Sequence, residues 1–415
     1  MSKELVKFVG GIAPESVVDV YGVCKAPQVP IVKCSQSLVE VDLEEVHVVS
    51  RAATPLPMQL TDASAPISLE DETTESAPED SPKRAKVTLK TRLDHRFLDL
   101  RTAASSSLIR LSATVTQAFR THLASLGFLE IHTPKLLAGS SEGGANIFPL
   151  DYFEKKACLA QSPQLHKQMA VMGDLDRVYE IGPVFRAEDS NTHRHLCEFT
   201  GMDLEMTIKA DYKEVIEVVQ NLFLVIFQEI EQRNAPELKI LRTHFPFITP
   251  FSVPSQPLLF SFPQAVQLLT QSGYPQSPLA DLSTEAERHL GKLIKANTGS
   301  DFYIIHRYPT AVRPFYTLPC PDDPQYSCSF DVFMRGEEVV SGGQRVHNAE
   351  MLERRIEEKG VGKEGLRDYL EAFRYGAFPH GGCGIGLERV VMLYLGIGNI
   401  RRVSLFPRDP KRISP

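Results

Sequence analysis

The pattern of apolar and polar positions over residues 177–206 predicts two antiparallel strands joined by a long loop. The first strand is an apolar run that ends at Arg186, and eight mostly polar residues then lead into a loosely alternating second run. This connection is too long for a tight hairpin turn. Charges on a buried sheet are costly unless they are paired or contact a ligand. The segment is therefore either a structural ion-pair network or a binding site, because it contains Arg186, Glu188, Asp189, Arg194, Glu198, Asp203 and Glu205.

Elsewhere the spacing of apolar residues predicts helices between groups of strands. Apolar residues recur every three or four positions from Leu108 to Leu123 and again from Val215 to Ile230, which is typical of two long amphipathic helices. Because the predicted strands come mostly in antiparallel pairs, the pattern indicates an α+β fold and not alternating βαβ units. Strands are predicted at 128–134, 301–309 and 311–319, in a pair over 330–348 that turns at Gly336, and in the glycine-rich run 380–386 before a helix.

The first 60 residues differ from the rest of the chain. Their β-branched runs predict short strands at 5–9, 16–24, 38–41 and 45–49, separated by glycine and proline. These strands are too few for a complete small barrel, so we expect part of one at 1–60. From residue 61 the composition becomes acidic and polar, which predicts a flexible linker and hinge over 61–101. Residues 102–415 are then expected to form one large domain.

Composition and charge limit the possible functions. A net charge of −7 argues against a basic surface over the whole molecule, so any nucleic-acid contact is expected to be local. The seven cysteines form no CxxC pair, which favours reduced thiols in a cytoplasmic protein over a disulfide framework or a zinc site. The start of the chain lacks the features of a secretory or transit peptide, and no apolar run reaches about 18 residues, so no membrane association is expected.

One glycine-rich run raises the possibility of a nucleotide-binding loop. The run from Gly382 to Gly386 lacks the third correctly spaced glycine of a dinucleotide fingerprint and the Gly-Lys-Ser/Thr of a P-loop. Both of those nucleotide-binding folds are therefore disfavoured.

Three segments, in this order, resemble the three signature motifs of class II aminoacyl-tRNA synthetases. They are EIHTPKLL with Pro134, the loop FRAE…HRH…E that begins at Phe185, and GIGLERVVMLYLG with Arg389. The blocks SEGGAN, QSPQLHKQ, RPFY, GEEVVSGGQR and FPRDPKR are similar to those of the aspartyl enzymes of the eukaryotic and archaeal cytosolic type. The resemblance covers residues 92–415 almost continuously. It implies an antiparallel sheet flanked by helices, preceded by an OB-type anticodon-binding barrel of which this chain begins near the middle.

The resemblance implies a role for each matching residue at an ATP site. Arg186 and Arg389 are the implied catalytic residues, because they match the arginines that bind the α-phosphate and the far phosphates. Glu188 matches the residue that holds the adenine amino group, and Phe199 matches the aromatic residue that stacks on adenine. Asp331 and Glu338 match an acidic pair that coordinates Mg²⁺, an ion that prefers carboxylate and phosphate oxygens. The full implied ATP set is Arg186, Glu188, Arg194, His195, Leu196, Phe199, Glu338, Gly386 and Arg389.

The resemblance also implies an aspartate pocket. A β-carboxylate needs a fixed cation, and Arg345 matches the arginine that supplies it, with Lys167 as a second positive contact. An asparagine enzyme of this subclass lacks that lysine, so its presence favours the charged substrate. Considered alone, Lys167 and Arg389 would be interpreted as solvated surface residues, and His193 and His195 as ordinary loop residues. Their joint occurrence in family order carries the assignment. The full implied set is Glu142, Gln164, Lys167, Arg186, Asp203, Ser341 and Arg345.

The resemblance therefore implies a cytoplasmic aspartate–tRNA ligase with ATP, Mg²⁺, L-aspartate and tRNA(Asp) as its ligands. The resemblance implies a homodimer through the segment around Pro134, and membership of a larger synthetase complex is left open. Two alternatives remain: an asparaginyl-tRNA synthetase or asparagine synthetase-like enzyme of the same fold, and a synthetase-like interaction protein that charges no tRNA.

Overall fold

The computed structural model describes residues 2–32, 34, 36–68, 86–139, 147–190, 192–253, 258–362 and 364–415. The chain divides into two compact units, Met1–Asp62 and Ala63–Pro415. Among the described residues, no helix combines the length and apolar character that a membrane span requires.

The described part of the first unit begins with a helix and a pair of strands. Helix α1 (Lys3–Gly10) precedes strands β1 (Val17–Lys25) and β2 (Glu40–Ser50), which pair antiparallel. The predicted strand at 5–9 is wrong, because these residues lie in α1. The Ser2 hydroxyl accepts a hydrogen bond from the backbone N–H of Leu5 (3.1 Å), and this cap starts the helix. The two strands predicted at 38–41 and 45–49 are one continuous strand, β2.

Residues 89–99 differ from the predicted flexible linker. They form two short helices, α3 (Leu89–Asp94) and α4 (Arg96–Asp99), after the short helix α2 (Leu60–Ala63). The buried carboxylate of Asp99 accepts hydrogen bonds from Arg92 Nη1 (2.8 Å) and Arg96 Nη1 (2.7 Å). Arg96 also donates to the carbonyl of Arg402 (2.8 Å), close to the C-terminus. Paired charges thus tie residues 89–99 to the rest of the second unit. Residues 69–85 of the predicted linker lie outside the described residues.

The second unit is built on a sheet of eight strands in the order β3-β7-β8-β13-β12-β11-β10-β9. The six inner strands pair antiparallel with one another, and each edge strand pairs parallel with its neighbour. The prediction of an antiparallel sheet is confirmed. The strands are β3 (Leu129–Glu130), β7 (Arg177–Phe185), β8 (Glu198–Thr207), β9 (Leu259–Ser261), β10 (Phe302–His306), β11 (Ser329–Met334), β12 (Glu337–Gln344) and β13 (His380–Gly386). A separate sheet contains β4 (Leu136–Leu137), β5 (Pro149–Tyr152) and β6 (Lys155–Leu159).

Helices cover this sheet with the apolar stripes that the sequence predicts. The two long helices α5 (Ala103–Ser125) and α7 (Lys213–Arg233) bury Leu111, Phe119, Val219 and Phe223 in the main core. The other helices are α6 (Gln164–Met172), α8 (Ala235–His244), α9 (Phe262–Gln271), α10 (Thr284–Thr298), α11 (Ala349–Glu358), α12 (Arg367–Ala372) and α13 (Leu387–Leu395). The strand predicted at 311–319 is wrong, because the chain there forms a 3₁₀ turn at Thr310–Val312 and then irregular backbone.

Two local features of the sheet shape the site. Strand β12 has a bulge opposite β11: Val340 pairs with Val332, but Glu338 and not Val339 pairs with Phe333. Strand β13 is glycine-rich because β8 approaches it closely. A Cβ on Gly382 would lie 2.2 Å from the carbonyl oxygen of Leu204 and 2.3 Å from the carboxylate of Glu205.

Candidate active site

A pocket of about 330 Å³ opens over strands β7, β8, β12 and β13. It brings together residues that lie more than 200 positions apart in the sequence. Pockets lined by a few convergent polar groups are the usual form of a small-molecule site. The predicted residues that line it are Gln164, Arg186, Glu188, Arg194, His195, Leu196, Phe199, Asp203, Glu338, Ser341, Arg345, Gly386 and Arg389.

Arg186 and Phe199 form one wall of the pocket. Arg186 follows the last residue of β7, and its backbone N–H donates to the carbonyl of Cys197 (2.8 Å), which extends the pairing with β8. The guanidinium carbon lies 5.6 Å from the centre of the Phe199 ring. A cation beside an exposed aromatic face can bind an anionic group while the ring stacks on a planar one.

Arg389 faces this wall from the start of helix α13. Gly386 is the N-cap of that helix, and Arg389 Nη1 donates to the backbone carbonyl of Glu338 (3.2 Å). Burial lowers the pKa of Arg389. Beside it, the carboxylate of Glu388 accepts hydrogen bonds from the backbone N–H of Thr200 (3.1 and 3.2 Å), and burial raises the pKa of Glu388 to about 7. The helix start thus presents a cation together with the positive end of a helix dipole.

The loop between β7 and β8 is held at its far end by helix α10. Arg194 Nη1 donates to the carboxylate of Glu287 (2.9 Å), and Nη2 donates to the hydroxyl of Thr284 (2.9 Å). His195 lies next to Arg194, and burial, with the nearby charge of Arg389, lowers the pKa of His195 to about 4. His195 is therefore a neutral side chain near pH 7, and Arg194 is the cation of this end of the loop.

Glu338 and Asp331 lie on neighbouring strands, and the β12 bulge places Glu338 on the same face as Ser341. Arg313 connects Asp331 and Ser341: its Nη2 donates to Asp331 Oδ2 (2.5 Å), and its Nη1 donates to Ser341 Oγ (3.1 Å). Burial and the negative charge of Asp331 raise the pKa of Glu338 to about 8. The two carboxylates therefore form a site where a further positive charge would be stabilised.

The two acids fit a hard divalent cation whose other ligands come from a substrate. Asp331 Oδ1 is buried and accepts no hydrogen bond from any residue that the structure describes. Within the same described ranges, no group of three or more His, Cys, Asp or Glu side chains could hold a metal ion. Mg²⁺ is commonly bound by one or two carboxylates together with phosphate oxygens and water, and an acidic pair meets that requirement.

At the opposite end of the pocket, Arg345 is fixed by a bidentate ion pair. Its Nε and Nη2 donate to the two carboxylate oxygens of Glu205 (2.9 and 3.2 Å), and Nη2 also reaches Gln164 Oε1 (3.3 Å). Nη1 has no hydrogen-bond partner among the described residues. Arg345 and Lys167 hold the pKa of the fully buried Glu205 below its usual value, although burial alone would raise it. A guanidinium fixed in this way is suited to a carboxylate ligand.

Lys167 occupies a different place from the one predicted. It is 1% exposed and does not line the pocket. Its ammonium group donates to Asp203 Oδ1 (2.9 Å) and to the carbonyl of Cys383 (2.9 Å), and it lies 3.4 Å from Glu205. These acceptors draw the lysine below the pocket surface. It therefore acts through Asp203 and Glu205 in this structure, and direct contact with a substrate remains a prediction.

Two other predicted residues do not line the pocket. Asp331 contacts Arg313, which does line it. Pro134 is exposed between β3 and β4, and its place at a dimer interface remains a prediction. Glu142 lies outside the described residues.

Several pocket residues were missed by the sequence analysis. The block RPFY contributes to the resemblance, but the resemblance as stated gives no role to Arg313 or Tyr316. Glu388 was missed because it is next to Arg389 and a single carboxylate at a helix start is usually a capping residue. Gln161 and Ser162 stand in a recognised block without an assigned role. All five line the pocket: Gln161, Ser162, Arg313, Tyr316 and Glu388.

The fold and the pocket define a class of enzyme, and comparison with known proteins identifies the family. Residues 88–410 match the family described as tRNA synthetases class II (D, K and N), and the chain belongs to that family. The predictions of family and fold class are confirmed.

Within the family, the chain is similar to the cytoplasmic aspartate–tRNA ligases. It is 49% identical over 411 residues to aspartate–tRNA ligase 1 of Arabidopsis thaliana, which covers 99% of this chain and 76% of the relative. It is 45% identical over 414 residues to the human cytoplasmic aspartate–tRNA ligase, covering 100% of this chain and 81% of the relative.

Solved structures show the same similarity. The aspartyl-tRNA synthetase of Entamoeba histolytica superposes with a TM-score of 0.89 at 47% identity, covering 100% of this chain and 82% of that one. The asparaginyl-tRNA synthetase of Pyrococcus horikoshii complexed with asparaginyl-adenylate has a TM-score of 0.82 at 29% identity, covering 100% of this chain and 88% of that one.

Proposed function

We propose that the protein is an aspartate–tRNA ligase, which activates L-aspartate with ATP and transfers it to the 3′ end of tRNA(Asp). The observation that carries this proposal is the guanidinium of Arg345, which lines the pocket, is fixed by Glu205 and makes no hydrogen bond through Nη1 to a described residue. It supplies the cation that a β-carboxylate needs. The relatives named cytoplasmic aspartate–tRNA ligases support the proposal and the expected cytoplasmic location.

ATP binds across the other half of the pocket. Phe199 stacks on adenine, and Glu188 accepts a hydrogen bond from the adenine amino group. Arg186 contacts the α-phosphate, and Arg389 and Arg194 bind the outer phosphates. Phosphate at the start of α13 also gains from the helix dipole. Mg²⁺ held by Asp331 and Glu338 would supply charge neutralisation at the phosphates when bound.

The first reaction step depends on positioning and charge stabilisation. The α-carboxylate of aspartate attacks the α-phosphorus, the bond from that phosphorus to the bridging oxygen breaks, and pyrophosphate leaves. Arg186 stabilises the negative charge that develops on the phosphoryl oxygens. Asp203 and Gln164 bind the α-ammonium group of aspartate, and Arg345 holds its β-carboxylate, so the attacking oxygen faces the α-phosphate.

In the second step the terminal adenosine of the tRNA reacts. Its 3′-hydroxyl attacks the carbonyl carbon of aspartyl-adenylate, loses its proton, and releases AMP. We expect the loop 187–194 to contact the acceptor end, because it borders the pocket and its far end is fixed through Arg194.

The test of the proposal is ATP–pyrophosphate exchange with the purified protein. We expect exchange to depend on L-aspartate and to be weak with L-asparagine. Exchange with asparagine and not with aspartate would assign the asparaginyl alternative. Exchange with neither amino acid would favour the interaction protein that charges no tRNA. Replacing Arg345 by Gln, which keeps a hydrogen-bonding group but removes the cation, should lower the aspartate-dependent rate by at least about 100-fold.

A homodimer is part of the same proposal. The segment around Pro134 and the small sheet β4-β6-β5 expose several apolar side chains, among them Leu136 and Phe153. An apolar patch of this kind is typical of an interface. Light scattering coupled to gel filtration should give twice the 46.3 kDa of the chain. A larger synthetase complex would instead be found by purification from cells.

A further inference from the structure

A chain of buried hydrogen bonds leads from Arg345 away from the pocket to His380, a residue to which the proposed reaction assigns no role. Gln164, Gln168 and His380 are 5%, 0% and 0% exposed. Gln164 and Gln168 are one helical turn apart on α6, so their side chains share one face of that helix. His380 is the first residue of β13.

The polarity of this chain is set at its His380 end. His380 Nδ1 lies 2.7 Å from the carbonyl oxygen of Phe378, which can only accept a hydrogen bond. Nδ1 therefore carries the proton. Burial lowers the pKa of His380 to about 4, so the ring is neutral near pH 7 and Nε2 is an acceptor.

Each amide orientation then follows from the one before it. Gln168 Nε2 lies 2.9 Å from His380 Nε2 and must donate to it, which turns Gln168 Oε1 toward α12 and Gln164. That oxygen accepts from Gln164 Nε2 (3.0 Å) and from the Tyr369 hydroxyl (3.1 Å). Gln164 Oε1 is consequently turned toward Arg345 Nη2, at 3.3 Å.

The reversed orientation would be costly at the pocket. If Gln164 turned its NH₂ group toward Arg345, two donors would face each other in a buried place. The aspartate pocket would also lose the carbonyl oxygen that accepts from the α-ammonium group. The state of His380 thus decides which end of Gln164 the substrate meets.

We propose that His380 is a positioning residue for aspartate: as the Nδ1–H tautomer it fixes the amides of Gln168 and Gln164, so that a carbonyl oxygen faces Arg345 and the substrate. This inference rests on the proposed function. It concerns binding of the amino acid and leaves ATP binding unchanged, because the chain of hydrogen bonds ends at the aspartate half of the pocket.

Two substitutions of His380 separate this role from simple packing. In H380Q the glutamine carbonyl can replace Nε2 as the acceptor for Gln168. In H380N the asparagine amide can replace Nδ1–H as the donor to Phe378, but Gln168 then loses its acceptor. Tyr369→Phe is the matched control, since it removes a hydrogen bond to Gln168 without changing which end of that amide faces Gln164.

The measurement is the KM for aspartate and for ATP in pyrophosphate exchange, with thermal melting of each variant to confirm folding. We expect H380N to raise the aspartate KM about tenfold, as befits one unpaired buried donor, with the ATP KM unchanged. For H380Q and Y369F, both KM values should remain within about twofold of those of the original protein, which is within the loss expected for one hydrogen bond. If H380N does not fold, a second measurement is the rise in melting temperature that aspartate gives to H380Q. A rise close to that of the original protein supports the positioning role, and a lost rise contradicts it.

The results separate the two proposals. If the unchanged protein shows no aspartate-dependent exchange, the proposed function fails. If the unchanged protein is active, three results would show that the positioning role is wrong while the proposed function stands. In the first, H380N and H380Q raise the aspartate KM equally. In the other two, H380N leaves the aspartate KM unchanged, or it raises the KM values for aspartate and ATP by the same factor.

Discussion

Lys167 Nζ and Asp203 Oδ1 form a buried ion pair 2.9 Å apart beneath the pocket, where Glu205 lies as a second acid 3.4 Å from the same ammonium group. Asp203 lines the amino-acid half of the pocket. Glu205 holds Arg345, which also lines that half. One lysine therefore contacts both acids that shape the aspartate pocket, and Arg345 shares the charge of Glu205 with it.

Replacing Lys167 by Met should weaken the use of aspartate sharply and also destabilise the fold. The change removes the ammonium group that contacts the buried carboxylates of Asp203 and Glu205, which costs about 3 kcal/mol. We expect the kcat/KM for aspartate to fall by at least about 100-fold, which corresponds to a similar energy. Exchange kinetics and urea unfolding check the two effects, and Lys292→Met, an exposed change on α10, is the control. Unchanged aspartate kinetics in K167M would contradict this role.

Replacing Glu287 by Gln should lower the KM for ATP. In the structure Arg194 is engaged by Glu287 at 2.9 Å, and it must leave that partner to reach a phosphate. Weakening the pair by about 1 kcal/mol would increase the fraction of protein with Arg194 available, giving about a fivefold lower KM. Steady-state kinetics at saturating aspartate measures this change. A raised KM for ATP would instead show that Glu287 orients Arg194 for binding.

Replacing Asp331 by Asn should raise the Mg²⁺ concentration needed for exchange. Asp331 Oδ1 is buried without a described partner, and an amide is a poorer ligand for a hard cation than a carboxylate. We expect about a tenfold shift in the midpoint of the Mg²⁺ titration. The control is Asp322→Asn, which removes an exposed acid paired with Arg307. Equal midpoints for D331N and the original protein would remove Asp331 from the metal site.

Glu388 should make the folded protein less stable as the pH rises from about 4.5 to about 7. Its pKa is raised from 4.5 to about 7 by burial, so the folded state holds a proton that the unfolded state has released. A tenfold difference in proton affinity between the two states corresponds to about 1.4 kcal/mol, so this carboxyl lowers the free energy of unfolding by about 3 kcal/mol above pH 7. In Glu388→Gln that pH dependence should vanish. Urea unfolding at pH 5 and pH 7.5 measures it, and equal pH slopes for both proteins would contradict the assignment.

His244 should make the folded protein less stable as the pH falls below about 6.5. Burial lowers its pKa from 6.5 to about 4, so the unfolded state takes up a proton before the folded state does. Stability is therefore fully present above pH 6.5 and is lost as the pH falls toward 4, by on the order of 3 kcal/mol. His244→Asn can keep the hydrogen bond to the carbonyl of Ser64, at 3.3 Å, and should reduce this loss. Thermal melting between pH 4.5 and 7 is the measurement.

The sheet and its long helices could be predicted because their apolar spacing is regular. Leu111, Phe119, Val219 and Phe223 lie at helical intervals, and the structure buries all four. The strand prediction for 5–9 is wrong, since a run of five apolar and basic residues fits both periods and the Ser2 cap decides for a helix.

The candidate site could be predicted where residues match family motifs, but the relations between distant side chains could not. Arg345 is assigned from its motif, whereas its ion pair with Glu205 joins residues 140 positions apart. Lys167 is expected at the pocket surface because sequence alone does not show that three acceptors draw it inward. Arg313 is missed because its segment has apolar neighbours typical of a strand, and only the fold brings it to Asp331.

The bulge in β12 determines which face of the sheet carries Glu338. If the strand ran regularly with all its residues, Val339 would pair with Phe333 and Glu338 with Met334, and Glu338 would face the opposite side of the sheet from Ser341. The proposed metal-binding acid would then leave the face on which the amino-acid pocket opens. One extra residue in β12 therefore keeps the groups that bind the two substrates on a single face, where those substrates can meet.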